Sequence, residues 1–364
     1  MNQGLHTMTS MKKASASPDP SSSSKPRWQW GRAIRAAVSI FLPLMAGLML
    51  GHIMTGMWIA MGCLMMVTGE VSGSYRDVYR AMFISACIGS VGYLAGYLHI
   101  LAWSAVIIIM MCAGAVAQLL SNVSHTLSIA MLQILLLASI ALGVPSINNF
   151  WMPALLYLVG MVLYALLLGI EILFCRYLAK NRDATLNAAS QSTPTKPVAI
   201  VASHHYAQAC ALAVCLGVAY SAHLVDDNPH WFWIPLTVGL IMKPDLGSIH
   251  KRALQRITGT LLGVILGVLI LLFVPKNVAF VLLMAILAGI LPWAMKYSYA
   301  LQAVFLTPLI LMLINIILPG SADINYATQR LLDTVIGSFI VIVFGYLPLK
   351  YYQSKYFKNQ PDTL

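Results

Sequence analysis

Apolar stretches long enough to cross a bilayer recur along almost the whole chain, and no other feature narrows its folding as much. Twelve can be drawn. In the first half they fall at roughly 33–52, 56–71, 81–98, 102–120, 126–143 and 151–175. In the second half they fall at roughly 204–222, 231–243, 257–274, 278–295, 298–318 and 329–349. A hydrocarbon core of roughly 30 Å takes about 20 apolar residues wound as a helix. Lipid satisfies no backbone amide, so each span must satisfy its own, as a helix does. With 59% apolar and only 9% charged residues, the chain lacks the polar surface that a water-soluble fold of 364 residues needs. The predicted fold class is an all-α integral membrane protein of about twelve transmembrane helices.

Charge tests this map. With the N-terminus in the cytoplasm and sides alternating, all but Lys276 and Arg330 of the 22 Lys and Arg fall in cytoplasmic tails or loops. Cytoplasmic loops accumulate Lys and Arg, so the spans and an orientation with both termini inside support each other. The net charge of +11 is then a topology signal scattered over short loops, not a nucleic-acid patch. The expected organisation is a disordered basic tail (1–32), a first membrane unit (33–176), a polar cytoplasmic linker (177–203), a second membrane unit (204–349) and a short tail (350–364).

The two units read as copies. At a constant offset of 175, Trp58-Ile59 meets Trp233-Ile234, Glu70 meets Asp245, Arg76 meets Lys251 and Gly92 meets Gly267. Six helices per unit is an even number, so the copies run parallel, as in several transporter folds.

Chemistry is expected where the second segment of each unit is short. Residues 56–71 carry Gly56, Gly62 and Gly69, while residues 231–243 carry Pro235 and Gly239 with Pro244 directly after. Short or Gly/Pro-broken segments at matching positions point to a transport site, because freed backbone groups must face a cavity or a partner. The candidate substrate-binding charges are Arg256, Arg80, Arg330 and Asp333, with Glu70 and Asp245 closing the short segments. Arg330 and Asp333 share a helix face, and Arg330 departs from the positive-inside pattern. Each charge also reads as an interfacial anchor or an ion pair. Glu171 reads as a partner for Arg176. Trp58 and Trp233 suit stacking on an aromatic ring as well as anchoring at the interface. Gly259, Gly263 and Gly267 recur every four residues and suit close helix packing.

Other chemistry finds no support. The 6 cysteines lie in apolar segments without a CxxC pair, and no nucleophile motif, phosphate loop or dinucleotide fingerprint occurs. The Asp226-Asp227-Asn228-Pro229 stretch between His223 and His230 is ordinary turn chemistry. No metal, no cofactor and no enzymatic activity is expected.

The stretch 231-WFWIPLTVGLIMKPDLGSIHKRALQRITGTLLGVILG-267 resembles the fusaric acid resistance and aromatic acid exporter superfamily. It carries an aromatic-rich segment, a turn, and an Arg-Ile-x-Gly-Thr-x-x-Gly run at Arg256–Gly263. The stretches 299–313 and 330–339 fit the same pattern. The first unit fits loosely, since Arg80-Ala81-Met82-Phe83-Ile84 lacks the Gly-Thr. The resemblance implies a six-helix unit used in pairs, a multi-pass protein of a bacterial-type inner membrane, and export of aromatic carboxylates and related toxic compounds. A homo-oligomer or accessory efflux subunits are further partners it allows, beside lipid and a small organic anion. A passive organic-anion channel and a non-transporting membrane scaffold are the alternatives.

Overall fold

The computed structural model describes residues 28–71, 73–143, 149–180, 202–224, 230–242, 249–317 and 324–356. Most of the expected tails and linker therefore lie outside the described residues, as do Asp245 and the Asp226–Pro229 turn. The described residues are helical, and none forms a strand.

The first half comprises α1 (Trp30–Met49), α2 (Ile53–Gly69), α3 (Tyr75–Val91), α4 (Trp103–Ser121), α5 (His125–Gly143) and α6 (Trp151–Lys180). α3 tightens into a 3-10 helix over Gly92–Ile100. The second half comprises α7 (Ala202–Ser221), α8 (Trp233–Ile241), α9 (Ile249–Phe273), α10 (Val278–Tyr297), α11 (Tyr299–Ile317) and α12 (Ile324–Ile340). α12 runs through a wider π-helical stretch, Val341–Tyr346, into α13 (Leu347–Tyr356). Among the described residues, ten helical spans have the length and apolarity to cross a membrane. The 17-residue α2 and the nine-residue α8 fall short of that length. These are the two segments whose shortness the sequence singles out. Of the polar residues after them, the later ones are helical. Tyr75–Arg80 and Ile249–Arg256 form the first turns of α3 and α9.

The α1–α2 turn shows how local sequence sets an element's end. Gly51 takes φ +73°, open to glycine without strain. His52 N–H then donates to the Gly47 carbonyl at 2.8 Å and Gly51 N–H to the Leu48 carbonyl. These bonds satisfy carbonyls that the helix end would otherwise leave unpaired in a membrane.

Within the first half, α2 packs on α1 and α6, and α3 packs on α5 and α6. Within the second, α8 packs on α7 and α12, and α9 packs on α11 and α12. Between the halves α1 lies against α10, α4 against α7, α5 against α8 and α2 against α11. Glycines allow the closest crossings. A Cβ on Gly62 would lie 2.4 Å from the Tyr157 carbonyl oxygen, and one on Gly160 2.2 Å from that of Ile59. On α9 against α11, Gly259 lies opposite Ala300 and Ala303, Gly263 opposite Thr307, and Gly267 opposite Leu311 and Pro308.

The outer surface is apolar. On α6, Leu155, Val159, Val162, Leu166, Ile170 and Leu173 are all exposed, at spacings of three and four. In water such a stripe would be a liability; against lipid tails it is the expected outer face. Among the ten long apolar spans α5 is the most enclosed, lying between α3, α4 and α8.

Candidate functional site

A cavity of about 80 Å³ lies where the two halves meet. α2 contributes Met61, Leu64, Met65, Thr68 and Gly69. α5 contributes Ile129, Leu132, Gln133, Leu136 and Ile140. From the second half come Leu236 and Leu240 of α8 and Tyr299, Gln302, Leu306 and Ile310 of α11. Among the described residues no charged side chain lines it. Its polar groups are a hydroxyl, a phenol and two amides. Gln133 is held in place, donating to the Met65 carbonyl at 3.1 Å and accepting from the Tyr157 hydroxyl at 3.1 Å. Thr68 donates back to carbonyls of its own helix. The cavity is thus an apolar chamber with fixed, uncharged hydrogen-bonding groups.

Charge stands directly behind one wall. The Tyr299 hydroxyl donates to the Leu240 carbonyl at 3.2 Å, and the Arg256 guanidinium lies against it. Arg252 and Arg330 lie within electrostatic reach of the same hydroxyl. Arg256 is 1% exposed, and its Nε and Nη2 have no hydrogen-bond partner among the described residues. A buried donor left unpaired costs about 1–3 kcal/mol, more when charged, so such a group calls for a ligand or water. Thr260, one turn along α9, and Thr307 of α11 are likewise buried with unpaired hydroxyls. Arg330 is also buried. Its guanidinium sits 4.0 Å above the Trp233 ring, and Nη1 donates to the Thr334 hydroxyl at 3.1 Å. The tryptophan face offers a desolvated cation a compensating quadrupole.

The first half treats its charges differently. Glu70 caps the end of α2 immediately after cavity-lining Gly69. Arg35 Nη2 lies 2.7 Å from Glu70, and Arg32 Nε lies 3.1 Å from it. Arg35 also pairs with Glu171 of α6, and the Tyr164 hydroxyl donates to Glu70. Two arginines and two carboxylates thus neutralise one another where α1, α2 and α6 meet.

The candidate residues from sequence fall into separate groups. Arg256, Arg330, Asp333 and Trp233 gather in the interior of the second half, and Glu70 lies in the ion knot. Trp58 is buried edge-on against Tyr93 and does not line the cavity, nor does Trp233. Arg80 is exposed on the first turns of α3, away from the cavity. The expected Glu171–Arg176 pair is replaced by Glu171–Arg35: residues 171 and 176 are five apart on one helix, whereas α1 brings a guanidinium directly across. The short segments do line the cavity, as expected, but α5 and α11 supply more than half of the wall. Sequence reasoning missed Arg35, Tyr164, Gln133, Tyr299 and Gln302. Arg35 and Glu171 had a usable signal, being charges within apolar runs, where unpaired charge is costly.

A second, smaller cavity of about 20 Å³ lies between α4, α5, α7 and α8. Gln118, Ser121 and Ser128 give it polar walls, and it shares Leu132 with the central cavity.

Comparison with known proteins agrees with this architecture. Residues 209–344 match the family described as fusaric acid resistance protein-like. The inner membrane protein YccS of Escherichia coli K12 is 32% identical over 130 residues, 35% of this chain and 17% of that protein. The uncharacterized membrane protein YvaC of Bacillus subtilis 168 is 35% identical over 114 residues, 30% of this chain and 17% of that protein. The alignments thus take in only about a sixth of each relative's length. No solved structure matches the chain. The chain is a helical membrane protein whose residues 209–344, which hold Trp233, Arg256, Tyr299 and Arg330, match the fusaric acid resistance protein-like family.

Proposed function

We propose that this protein exports small organic anions with a largely apolar body, aromatic carboxylates foremost, across the inner membrane. The observation that carries the reading is the central cavity with arginines behind its Tyr299 wall. An anion leaving water loses several kcal/mol of solvation and needs compensating positive potential, while its apolar body needs a dry wall. Arginine supplies that potential durably because it stays protonated. Arg256 and Arg330 are the binding charges in this reading, with Asp333 and Trp233 setting the position of Arg330. Arg80 gathers anions at the surface.

The halves act as two parallel six-helix repeats giving twelve spans, with both termini cytoplasmic. Helix packing supports this. Shifting every helix number by six turns the α1–α10 contact into α7–α4, α2–α6 into α8–α12, α3–α5 into α9–α11 and α5–α8 into α11–α2, each a contact that occurs. The name of the Escherichia coli relative supports the choice of membrane.

The test is uptake of labelled benzoate into inside-out vesicles or proteoliposomes holding the full chain, with and without a pH gradient. Saturable transport that exceeds protein-free vesicles is expected, and stimulation by the gradient marks an exporter rather than a passive channel. Absence of transport for benzoate and for other aromatic and aliphatic carboxylates alike would favour a scaffold.

A further inference from the structure

The central cavity has two flanks, and they are built differently. On the flank where α1, α2 and α6 meet, its end is closed by charge. Gly69 is followed at once by Glu70, which Arg32, Arg35 and Tyr164 hold. Opening that flank means separating buried ion pairs, a step costing several kcal/mol.

On the α4–α7 flank lies the small second cavity, and among the described residues one side chain belongs to both cavities, Leu132 of α5. Opposite it α8 presents Gly239, which faces the small cavity, and then Leu240, which faces the central one. A Cβ built on Gly239 would lie 3.7 Å from Leu136 Cδ2 and 4.0 Å from Leu132 Cδ1. Both are ordinary contacts, in contrast to the glycines at helix crossings, where backbone stands at 2.2–2.4 Å. The partition is therefore made of side-chain ends and the vacant space over a glycine. A rotamer change of Leu132 removes it without moving a helix, and such changes in incompletely buried side chains are fast. Beyond the partition, Gln118 and Ser121 at the C-terminal end of α4 and Ser128 near the start of α5 give the small cavity polar groups. Its 20 Å³ is enough for a water molecule.

We propose that the central cavity is loaded from one flank only, through the α4–α5–α7–α8 cavity, and that Leu132 over Gly239 is the gate between them. The proposal rests on the transport reading for its purpose and on the proposed orientation for its side, cytoplasmic. The gate itself is a physical connection that accessibility measures without any transport.

The experiment uses the full chain in inside-out vesicles, with exposed Cys87, Cys112, Cys175 and Cys210 replaced by serine and Thr68→Cys as the reporter in the central cavity. A small cationic methanethiosulfonate reagent is added from the cytoplasmic face. Leu132→Ala is expected to speed labelling of the reporter by on the order of tenfold, a modest share of what deleting a packed leucine releases. Gly239→Leu is expected to slow it by a similar factor, since the added side chain fills the gap. Gly239→Ala, for which there is room, controls for folding. The ion-knot variant Glu70→Gln keeps an acceptor for Tyr164 and leaves the Arg35–Glu171 pair in place, so at a membrane level matched to the parent its labelling rate is expected to stay near that of the parent. Faster labelling in Glu70→Gln with no response to Leu132→Ala or Gly239→Leu would put the entrance on the other flank and overturn the proposal. If labelling follows the gate variants but no carboxylate is transported by the parent, the gate stands and the transport reading fails.

Discussion

The two halves of this protein bury arginines to opposite ends. In the first, Arg35 reaches Glu70 and Glu171 while Arg32 reaches Glu70, so charge is cancelled inside the protein. In the second, Arg256 is just as deeply buried, yet two of its nitrogens find no partner among the described residues. It stands beside a tyrosine that lines a cavity and that two further arginines also reach electrostatically. A protein gains nothing in stability from a buried cation with unmade hydrogen bonds. The difference therefore separates a half whose buried charges cancel within the protein from a half in which a buried guanidinium keeps unmade hydrogen bonds, the feature on which the proposed anion site rests.

The largest expected effect tests the clamp. Glu70→Ala removes the carboxylate that pairs with Arg32 and leaves Arg35 with Glu171 as its remaining anion. Removing one member of a buried ion network typically costs about 3–5 kcal/mol, because the remaining charge keeps its desolvation penalty. The melting temperature of the detergent-solubilised protein should fall accordingly, as should its level in the membrane. A variant as stable as the parent would show that the knot is solvated and no clamp.

Next comes the same operation on the other half. Arg256→Gln removes the charge and keeps an amide that hydrogen-bonds Tyr299. Stability should stay within about 1 kcal/mol of the parent, since among the described residues no ion-pair partner of Arg256 is stranded. Carboxylate transport should be lost, with Arg330→Gln, which keeps hydrogen bonding to Thr334, weakening it. If Arg256→Gln melts as badly as Glu70→Ala, the contrast between the halves fails. If both arginine variants insert normally and transport at the parent's rate, these arginines are structural and the site lies elsewhere.

This contrast was partly legible in the sequence. Apolar length alone marked the spans, because lipid forces any such run into a helix. The shortness of α2 and α8 was readable from their glycines and prolines, and both do line the cavity. The other walls were not readable. α5 and α11 are apolar around most of their circumference, so no periodicity says which face meets a cavity. Charge partners were harder still. Glu171 seemed to belong with Arg176, five residues away, but found Arg35 at a separation of 136 residues. Trp233 lies under Arg330 across 97 positions of chain, a pairing set by the packing of α8 on α12. Arg256 stood out in sequence. Its orphaned nitrogens did not, since burial without a partner is a property of the folded interior.

The smallest expected effect compares the two residues that open the short helices. His52 precedes α2 and is exposed, whereas His230 precedes α8, is partly buried, and shares a hydrogen bond with Gln329 at 3.2 Å. Burial disfavours the charged imidazole and pushes the pKa of His230 below its ordinary value of 6.5, with the Gln329 bond opposing part of that shift. The sign of the stability effect follows. As pH falls through 6.5 the unfolded chain takes up a proton at this site before the folded one does. The contribution of neutral His230 is therefore fully present above that value and declines below it. Melting temperatures measured from pH 8 down to pH 5 should show the parent losing ground relative to His230→Gln, which holds no titratable group, while His52→Gln serves as the exposed control. Partial exposure keeps the effect small, since water screens part of the penalty. The consequence is local. Gln329 adjoins Arg330, so protonating His230 brings a second positive charge to the end of α12 that carries the Trp233-stacked guanidinium. A parent whose pH profile is superimposable on that of His230→Gln would show that water already reaches this corner. The second half would then be no drier at its α8 entrance than the first half is at His52.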